Sequence, residues 1–205
     1  DFYWNGYSHR NSGGRMSTLE TNLVQPSTGT TLTLGASGDT ISIPSGATIA
    51  NSGTATGMGL FTSYAIIADQ KSQNTEGGTF TTGAWRTRDL NTEIADPDGI
   101  VSISSNQFTL GAGSYFICWV CPCYQVEYQQ SRLYNITDSS VGGIGDCNYV
   151  LYYGLSQGST RVVIAGSKAF EIQHRSASTY ATKGFGAAAN FGTEQYASVE
   201  IFKEA

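Results

Sequence analysis

The chain has 205 residues, a net charge of -5 and only 13% charged residues, against about 25% in typical soluble domains. The acidic balance gives no electrostatic reason to bind a phosphate backbone, so no nucleic-acid partner is expected. The sequence shows no apolar run of about 18 residues, and no charged segment followed by an apolar one at its start. We therefore expect no membrane insertion and see no signal peptide. A surface made mainly of Gly, Ser, Thr, Asn and Gln is typical of extracellular and virion proteins.

The first residues match no periodic pattern. They carry four aromatic side chains and a Gly-Gly pair, and a more regular pattern begins at Met16. A translated leader, a tag and a genuine N-terminal arm would all look like this. Residues 1–17 are therefore left unassigned.

Three short repeats follow in a stretch that is almost free of charge. Gly29-Thr30-Thr31-Leu32, Gly38-Asp39-Thr40-Ile41 and Gly46-Ala47-Thr48-Ile49 share the form G-x-T-[L/I], with starts nine and then eight residues apart. Each unit predicts one short alternating strand followed by a Gly or Pro turn. One apolar pair cannot bury itself, so residues 18–59 are interpreted as a β-repeat stalk in which identical chains pool their apolar faces, ending in a hinge at Gly53 to Gly59. A flexible linker is the alternative.

Residues 60–205 are predicted to form a head domain. Short apolar alternations separated by turn residues recur throughout, and no stretch keeps a helical period. This pattern predicts an all-β fold, a ten-stranded antiparallel jelly-roll sandwich. The predicted strands are Tyr64 to Ala68, Trp85 to Leu90, Ile100 to Ile103, Gln107 to Leu110, Ser114 to Val120, Val126 to Tyr134, Tyr149 to Leu155, Arg161 to Ile164, Phe170 to His174, Tyr180 to Thr182 and Ser198 to Phe202.

The segment Phe108 to Ile117 is the centre of this prediction. Its two strand-forming runs flank Gly111-Ala112-Gly113, and glycines allow a tight turn, so the runs are expected to pair as an antiparallel hairpin. Tyr115 to Val120 is apolar at both odd and even positions, as in a central strand covered on both faces. One side of that strand therefore needs a partner.

The sequence offers little support for metal or catalytic chemistry. The four cysteines are Cys118, Cys121, Cys123 and Cys147, and their spacing differs from paired zinc knuckles, so buried reduced thiols are expected. His9 and His174 are the only histidines, and no G-x-S-x-G or H-E-x-x-H motif is present. His174 lies in an alternating segment and is interpreted as a sheet histidine.

Four sequence blocks, in order, resemble the globular-head jelly roll of the complement and tumour necrosis factor superfamily, and most of all its bacteriophage form. The resemblance runs from about Tyr64 to Ala205, after a Gly/Thr-rich stalk like those of the phage proteins. Residues 138–148 are Gly-rich and match no block. The four blocks are Trp85 to Asn91, Ile100 to Tyr115, Ser167 to His174 and Ala197 to Glu204.

The resemblance implies a head that trimerises about its inner sheet, with its termini at the base and ligand-binding loops at the far end. It also raises the possibility of calcium at Asp96-Pro97-Asp98-Gly99, since some heads of this family bind calcium. That tetrapeptide is also an ordinary turn sequence, and we expect a turn and no cofactor. The residues that the resemblance places at the trimer interface are Tyr115, Ile117, Phe170, Ile172 and Ile201.

Tyrosine is abundant, with twelve residues in the chain. Tyrosine supplies a large contact area at low entropic cost and stacks on sugar rings. Packing of half of these side chains into a trimer seam is the alternative. The candidates for receptor contact, in or beside variable-looking loops, are Tyr124, Tyr128, Tyr149, Tyr152, Tyr153 and Tyr180.

These features favour a trimeric phage-type fibre or spike on the virion surface or outside the cell, whose head binds a host-surface glycan or protein. A virion decoration protein without receptor binding is the first alternative, and a secreted complement-like or cytokine-like ligand is the second. A glycan depolymerase is a third, but it needs a pair of carboxylates, and Glu171, Glu194 and Glu200 are scattered along the sequence. We expect a protein that is not an enzyme.

Overall fold

A computed structural model of the chain describes Pro26, residues 29–50 and residues 59–205. These residues fall into two compact units, Asp1–Ser52 and Gly53–Ala205. The unassigned segment 1–17 and residues 53–58 of the predicted hinge lie outside the described residues.

Residues 29–50 form turns, and no strand is found among them. The amide of Asp39 donates to the carbonyl oxygen of Ala36 at 3.0 Å, and that of Ala47 donates to Pro44 at 3.1 Å. The repeat side chains Leu32, Leu34, Ile41, Ile43 and Ile49 are exposed in a single chain. It therefore remains a prediction that these segments form strands and bury their apolar faces together when several chains associate.

The second unit is an all-β sandwich, and residues 59–205 contain no helix. Ten of its eleven strands have at least four residues, in agreement with the predicted jelly roll. No helix that could span a membrane is present in the described part of the chain. The strands are β1 Phe61–Lys71, β2 Arg86–Thr87, β3 Thr92–Ala95, β4 Val101–Ser104, β5 Gln107–Leu110, β6 Gly113–Tyr124, β7 Glu127–Asn135, β8 Ser140–Val150, β9 Tyr153–Ile164, β10 Lys168–Ser176 and β11 Glu194–Glu204.

Two antiparallel sheets face each other. One has the order β3-β1-β11-β6-β9, and the other has the order β4-β5-β10-β7-β8, with β2 also paired to β10. Alternation along the central strands directs every second side chain into the space between the sheets. The buried core includes Ile67, Phe108, Trp119, Leu133 and Phe170.

The predicted hairpin between β5 and β6 is wrong. β5 pairs with β4 and β10, whereas β6 pairs with β11 and β9 in the other sheet. The turn between them therefore crosses from one layer to the other, and the Tyr115 hydroxyl donates to the Gly111 carbonyl at 3.1 Å across it. The crossing lets Phe108 and Leu110 share one buried core with Tyr115 and Ile117.

Two of the predicted strands are also wrong. Residues 151–152 form the turn between β8 and β9, and Tyr180 forms only an isolated bridge with Phe80. Conversely, β3 and most of β8 were not predicted. For β8, the reason is the Gly-rich stretch 142–145. Glycine is required there by packing: a Cβ at Gly143 would lie 2.8 Å from Thr160 and 3.0 Å from the indole of Trp119.

Candidate functional site

The six candidate tyrosines lie at one end of the head, which we call the apical end. β1 begins beside the end of β11, where Phe61 pairs with Glu204, and the two strands separate at the pair Lys71–Glu194. β6 ends and β9 begins at that second end, where Tyr124 pairs with Tyr153. Tyr124, Tyr128, Tyr149 and Tyr153 lie near the ends of β6 to β9, and Tyr152 and Tyr180 lie in the connecting loops.

The tyrosines form two groups. The ring of Tyr124 makes edge contacts with Tyr153 and Tyr180, with centroids 5.2 Å and 5.4 Å apart. Tyr128 and Tyr149 form a separate pair with centroids 4.9 Å apart. Tyr152, in the turn between β8 and β9, is exposed.

Two long loops interlock beneath the first group. The loop 72–85 follows β1, and the loop 177–193 connects β10 to β11. The Gly77 amide donates to Gly186 at 2.9 Å, and the Gly78 amide donates to Thr182 at 2.8 Å. A Cβ at Gly77 would lie 2.8 Å from the backbone of Phe185, so this close approach requires glycine.

A buried arginine anchors the second loop to the sandwich. The Arg88 guanidinium donates to the carbonyl oxygens of Pro122 and Phe185, both at 3.0 Å. It also lies over the Phe185 ring, 4.3 Å from the centroid. Complete burial lowers the pKa of Arg88, so this cation is held by carbonyl groups and an aromatic face.

A carboxylate caps the other end of the same loop. Glu194 accepts backbone hydrogen bonds from Ala189 at 2.9 Å, Asn190 at 2.7 Å and Asn74 at 3.1 Å. These bonds lower the pKa of the Glu194 carboxyl, and the bond from Ala189 has the largest effect. Glu194 is therefore a structural residue of the apical end.

The sequence analysis missed two apolar side chains at the apical end. Phe191 is 96% exposed, and Leu151 is 62% exposed beside Tyr152. A signal was present for Phe191, because a lone Phe in a Gly- and Ala-rich segment has no strand to pack in. The apical end therefore presents apolar as well as aromatic contact area.

A groove lies beside the Tyr128 and Tyr149 pair, on the outer side of the sheet that contains β10, β7 and β8. Its volume is about 460 Å³. The sequence analysis did not connect its residues, since they come from four separate segments. The groove is lined by Thr82, Gly83, Trp85, Tyr128, Gln129, Gln130, Cys147, Arg175, Ser176 and Ala177.

A second surface is the outward side of the sheet β3-β1-β11-β6-β9, which we call the open face. Tyr64 pairs with Phe202, which pairs with Phe116, so three aromatic side chains form one row across three strands. Tyr64 is 44% exposed and Phe116 is 36% exposed. Arg161 continues the row on β9 and pairs with Glu204, with Nη2 and Oε2 2.6 Å apart. Among residues 59–205, the Phe61 ring packs on Phe202 with centroids 5.2 Å apart, and the ends of the row stay exposed.

The predicted trimer-interface residues do not lie on this surface, which is a correction to the sequence analysis. Tyr115, Ile117 and Ile201 are buried between the sheets, and Phe170 and Ile172 are buried on β10 in the other sheet. Side chains enclosed within one chain cannot contact a second chain. Both faces of β6 are apolar, and the residues that face outward are those at even positions, such as Phe116 and Val120.

The cysteines match the expectation of buried thiols only in part. Cys121 and Cys123 are buried on the core side of β6, Cys118 is half-buried on the open face, and Cys147 is exposed. The expectation of buried thiols is therefore wrong for Cys147. Burial raises the pKa of Cys121 to about 11 and that of Cys123 to about 12, which keeps both as thiols.

His174 and the Asp96 segment have structural roles in the head. His174 is buried, bonds to the side chain of Gln129 and packs 4.7 Å from the Phe80 ring centroid. Burial holds the pKa of His174 well below its usual value, and the charge of Arg88 lowers it further. The two carboxylate oxygens of Asp96 accept the amides of Ile100 at 2.8 Å and Val101 at 2.9 Å, which closes the expected turn.

Comparison with known proteins identifies no sequence family. No family model matches the chain, and no curated protein matches it. Among solved structures, it is similar to murine APRIL at pH 8.0, with 6% identity and a TM-score of 0.45 over 69% of this chain and 98% of that one. It is also similar to the globular domain of zebrafish complement 1qA protein, with 13% identity and a TM-score of 0.44 over 68% of this chain and 95% of that one. At these values the likeness says nothing about ligand or assembly.

Proposed function

We propose that the protein is a trimeric, non-enzymatic fibre or spike of the phage type, whose apical end binds a host-surface glycan or protein. The observation that carries the proposal is the position of the candidate tyrosines, four of which are exposed: Tyr128, Tyr149, Tyr152 and Tyr153. All six candidates lie at the end of the head opposite to the start of β1 and the end of β11. β1 begins at the opposite end of the head.

Self-association is supported by the open face. Burial of a large apolar side chain contributes about 1.5 to 3 kcal/mol, and Tyr64 and Phe116 at the two ends of the row are exposed in a single chain. The exposed Leu and Ile residues of the three repeats add apolar surface that other copies of the chain can cover. The number of three chains is taken from the sequence resemblance and is part of the proposal.

Binding at the apical end is supported by its chemistry. Tyr152 and Tyr153 are 68% and 64% exposed, and the Tyr153 hydroxyl donates to the Ala187 carbonyl at 3.0 Å. A tyrosine ring held by a hydrogen bond, as in Tyr153, offers contact area at little entropic cost. Three copies on one trimer would convert weak single contacts into strong attachment to a repetitive surface.

Light scattering and a binding array test this proposal together. We expect a mass of three chains, and attachment to at least one member of an array of bacterial surface polysaccharides and intact cells. The double variant Tyr152→Ser, Tyr153→Ser should weaken attachment at least tenfold. Ile144→Ser, a change at a similarly exposed site on β8, should stay within twofold of the unaltered protein.

Three results would contradict the proposal. A mass of one chain would exclude the trimer, and retention of full attachment by the double tyrosine variant would exclude the apical site. Release of reducing ends from a bound polysaccharide would show hydrolysis and favour the depolymerase.

A further inference from the structure

The groove on the outer sheet has the composition of a ligand site. Trp85 supplies an aromatic wall, and Arg132 lies over that ring, 4.1 Å from the centroid. Because Arg132 occupies one face of the indole, a ligand ring can stack only on the other. Tyr128, 68% exposed, supplies a second aromatic group at the apical rim.

Polar side chains form a row across the floor. Arg175 on β10 pairs in register with Gln130 on β7, which pairs with Cys147 on β8. The Gln130 amide nitrogen donates to the Gly145 carbonyl at 3.2 Å, which fixes the orientation of that side chain. The three residues therefore project from neighbouring strands on one face of the sheet.

The charge of the groove is opposite to that of the chain. Arg175 is exposed, and none of the ion pairs in the described part of the chain includes it. Burial lowers the pKa of Arg132, whereas Tyr134 and Glu171 raise it and the charge of nearby Arg175 lowers it. Arg175 is thus the charged side chain that lines the groove in a protein with a net charge of -5, and an anionic ligand complements it.

We propose that the groove binds an acidic sugar, with the pyranose ring stacked on Trp85 and its carboxylate paired with Arg175. An aromatic face suits the C–H surface of a sugar, and a guanidinium suits a carboxylate. An extended acidic peptide is disfavoured, because β7 and β10 are interior strands of the sheet and a peptide strand cannot be added between them. This inference rests on the proposed function in taking the ligand to be a surface glycan, and it names the class of that glycan.

Titration calorimetry on the full chain tests the site. The probes are tetragalacturonate and sialyllactose as acidic saccharides, maltotetraose as a neutral one, and tetraglutamate as an acidic peptide. We expect at least one acidic saccharide to bind, with the neutral saccharide and the peptide at least tenfold weaker. Trp85→Ala and Arg175→Gln should each weaken acidic-saccharide binding at least tenfold, whereas Lys168→Gln, at the opposite end of β10, should stay within twofold.

Arg175 is exposed, so Arg175→Gln tests the site even if Trp85→Ala fails to fold. Failure of both acidic saccharides to bind, equal binding of tetraglutamate, or full affinity in Arg175→Gln would each overturn the inference. The proposed function fails separately: a monomeric mass or an unaffected Tyr152, Tyr153 double variant contradicts it whatever the saccharides do. Loss of the groove site with trimer and array binding intact would contradict this inference alone.

Discussion

His174 is the one histidine of the head, and its surroundings make it a pH-sensitive structural residue. It lies between the sheets, bonded to Gln129 and packed against Phe80. Desolvation and the charge of Arg88 hold its pKa well below 6.5 in the folded chain. The folded protein therefore keeps this imidazole neutral at pH values where the unfolded chain protonates it.

The free energy of unfolding should fall as the pH drops below about 6.5, because the unfolded state then binds a proton that the folded state does not. One such group contributes at most about 1.4 kcal/mol for each pH unit. Denaturant titrations from pH 7 to pH 5 should show this slope. In His174→Gln the slope over that range should be reduced, and an unchanged slope would assign it to other groups.

At the scale of elements, β8 and β9 are shaped by a single tryptophan. Trp119 on β6 pairs across to Gly158 on β9, and its indole nitrogen donates to the Ser131 hydroxyl at 2.8 Å. The Ser131 and Ser156 hydroxyls lie 2.7 Å apart, and Ser156 donates to the Asp146 carbonyl of β8 at 2.6 Å. Glycines in β8 and β9 therefore make room for a large ring and its buried hydrogen bonds.

Gly158→Ala should destabilise the head, because the added Cβ would overlap the Trp119 ring. Overpacking of this kind costs about 1 to 3 kcal/mol. Gly166→Ala is the matched control, since a Cβ there meets nothing within 4 Å. Urea unfolding of both variants should show a large loss only at Gly158, and equal losses would mean that the strands yield around the ring.

At the scale of the whole molecule, β6 separates two kinds of apolar surface. Its odd positions, from Tyr115 to Cys123, fill the space between the sheets, and its even positions lie on the open face. The core side stabilises one chain, and the open side can stabilise only an assembly. Adjacent residues on this strand should therefore respond differently to substitution.

Phe116→Glu should yield a folded monomer of about 21.8 kDa, because it places a charge on the open face without opening the core. Tyr115→Ala should instead lower the stability of the head by about 3 to 5 kcal/mol through an unfilled cavity. Tyr180→Ala, at the apical end, should keep the trimeric mass. Sizing and thermal melts of the three variants would contradict this assignment if Phe116→Glu stayed trimeric.

The sequence by itself determined the all-β class, most strands and the tyrosine-rich loops, because alternation and turn residues act over a few neighbouring positions. It did not determine that β5 and β6 belong to different sheets, since a turn with the same residues can close a hairpin or cross between layers. It also did not determine which side of β6 faces the core, because the odd and even positions of that strand are both apolar.

Only the tertiary structure decided these points, since each depends on groups distant along the chain. The glycines of β8 become interpretable once Trp119 lies against them. The predicted interface residues Tyr115 and Phe170 prove to be core residues because the opposite sheet covers them. The groove joins Trp85 from a loop with Arg175 and Cys147 from two strands, and no local sequence pattern predicts a site that exists only when those segments align.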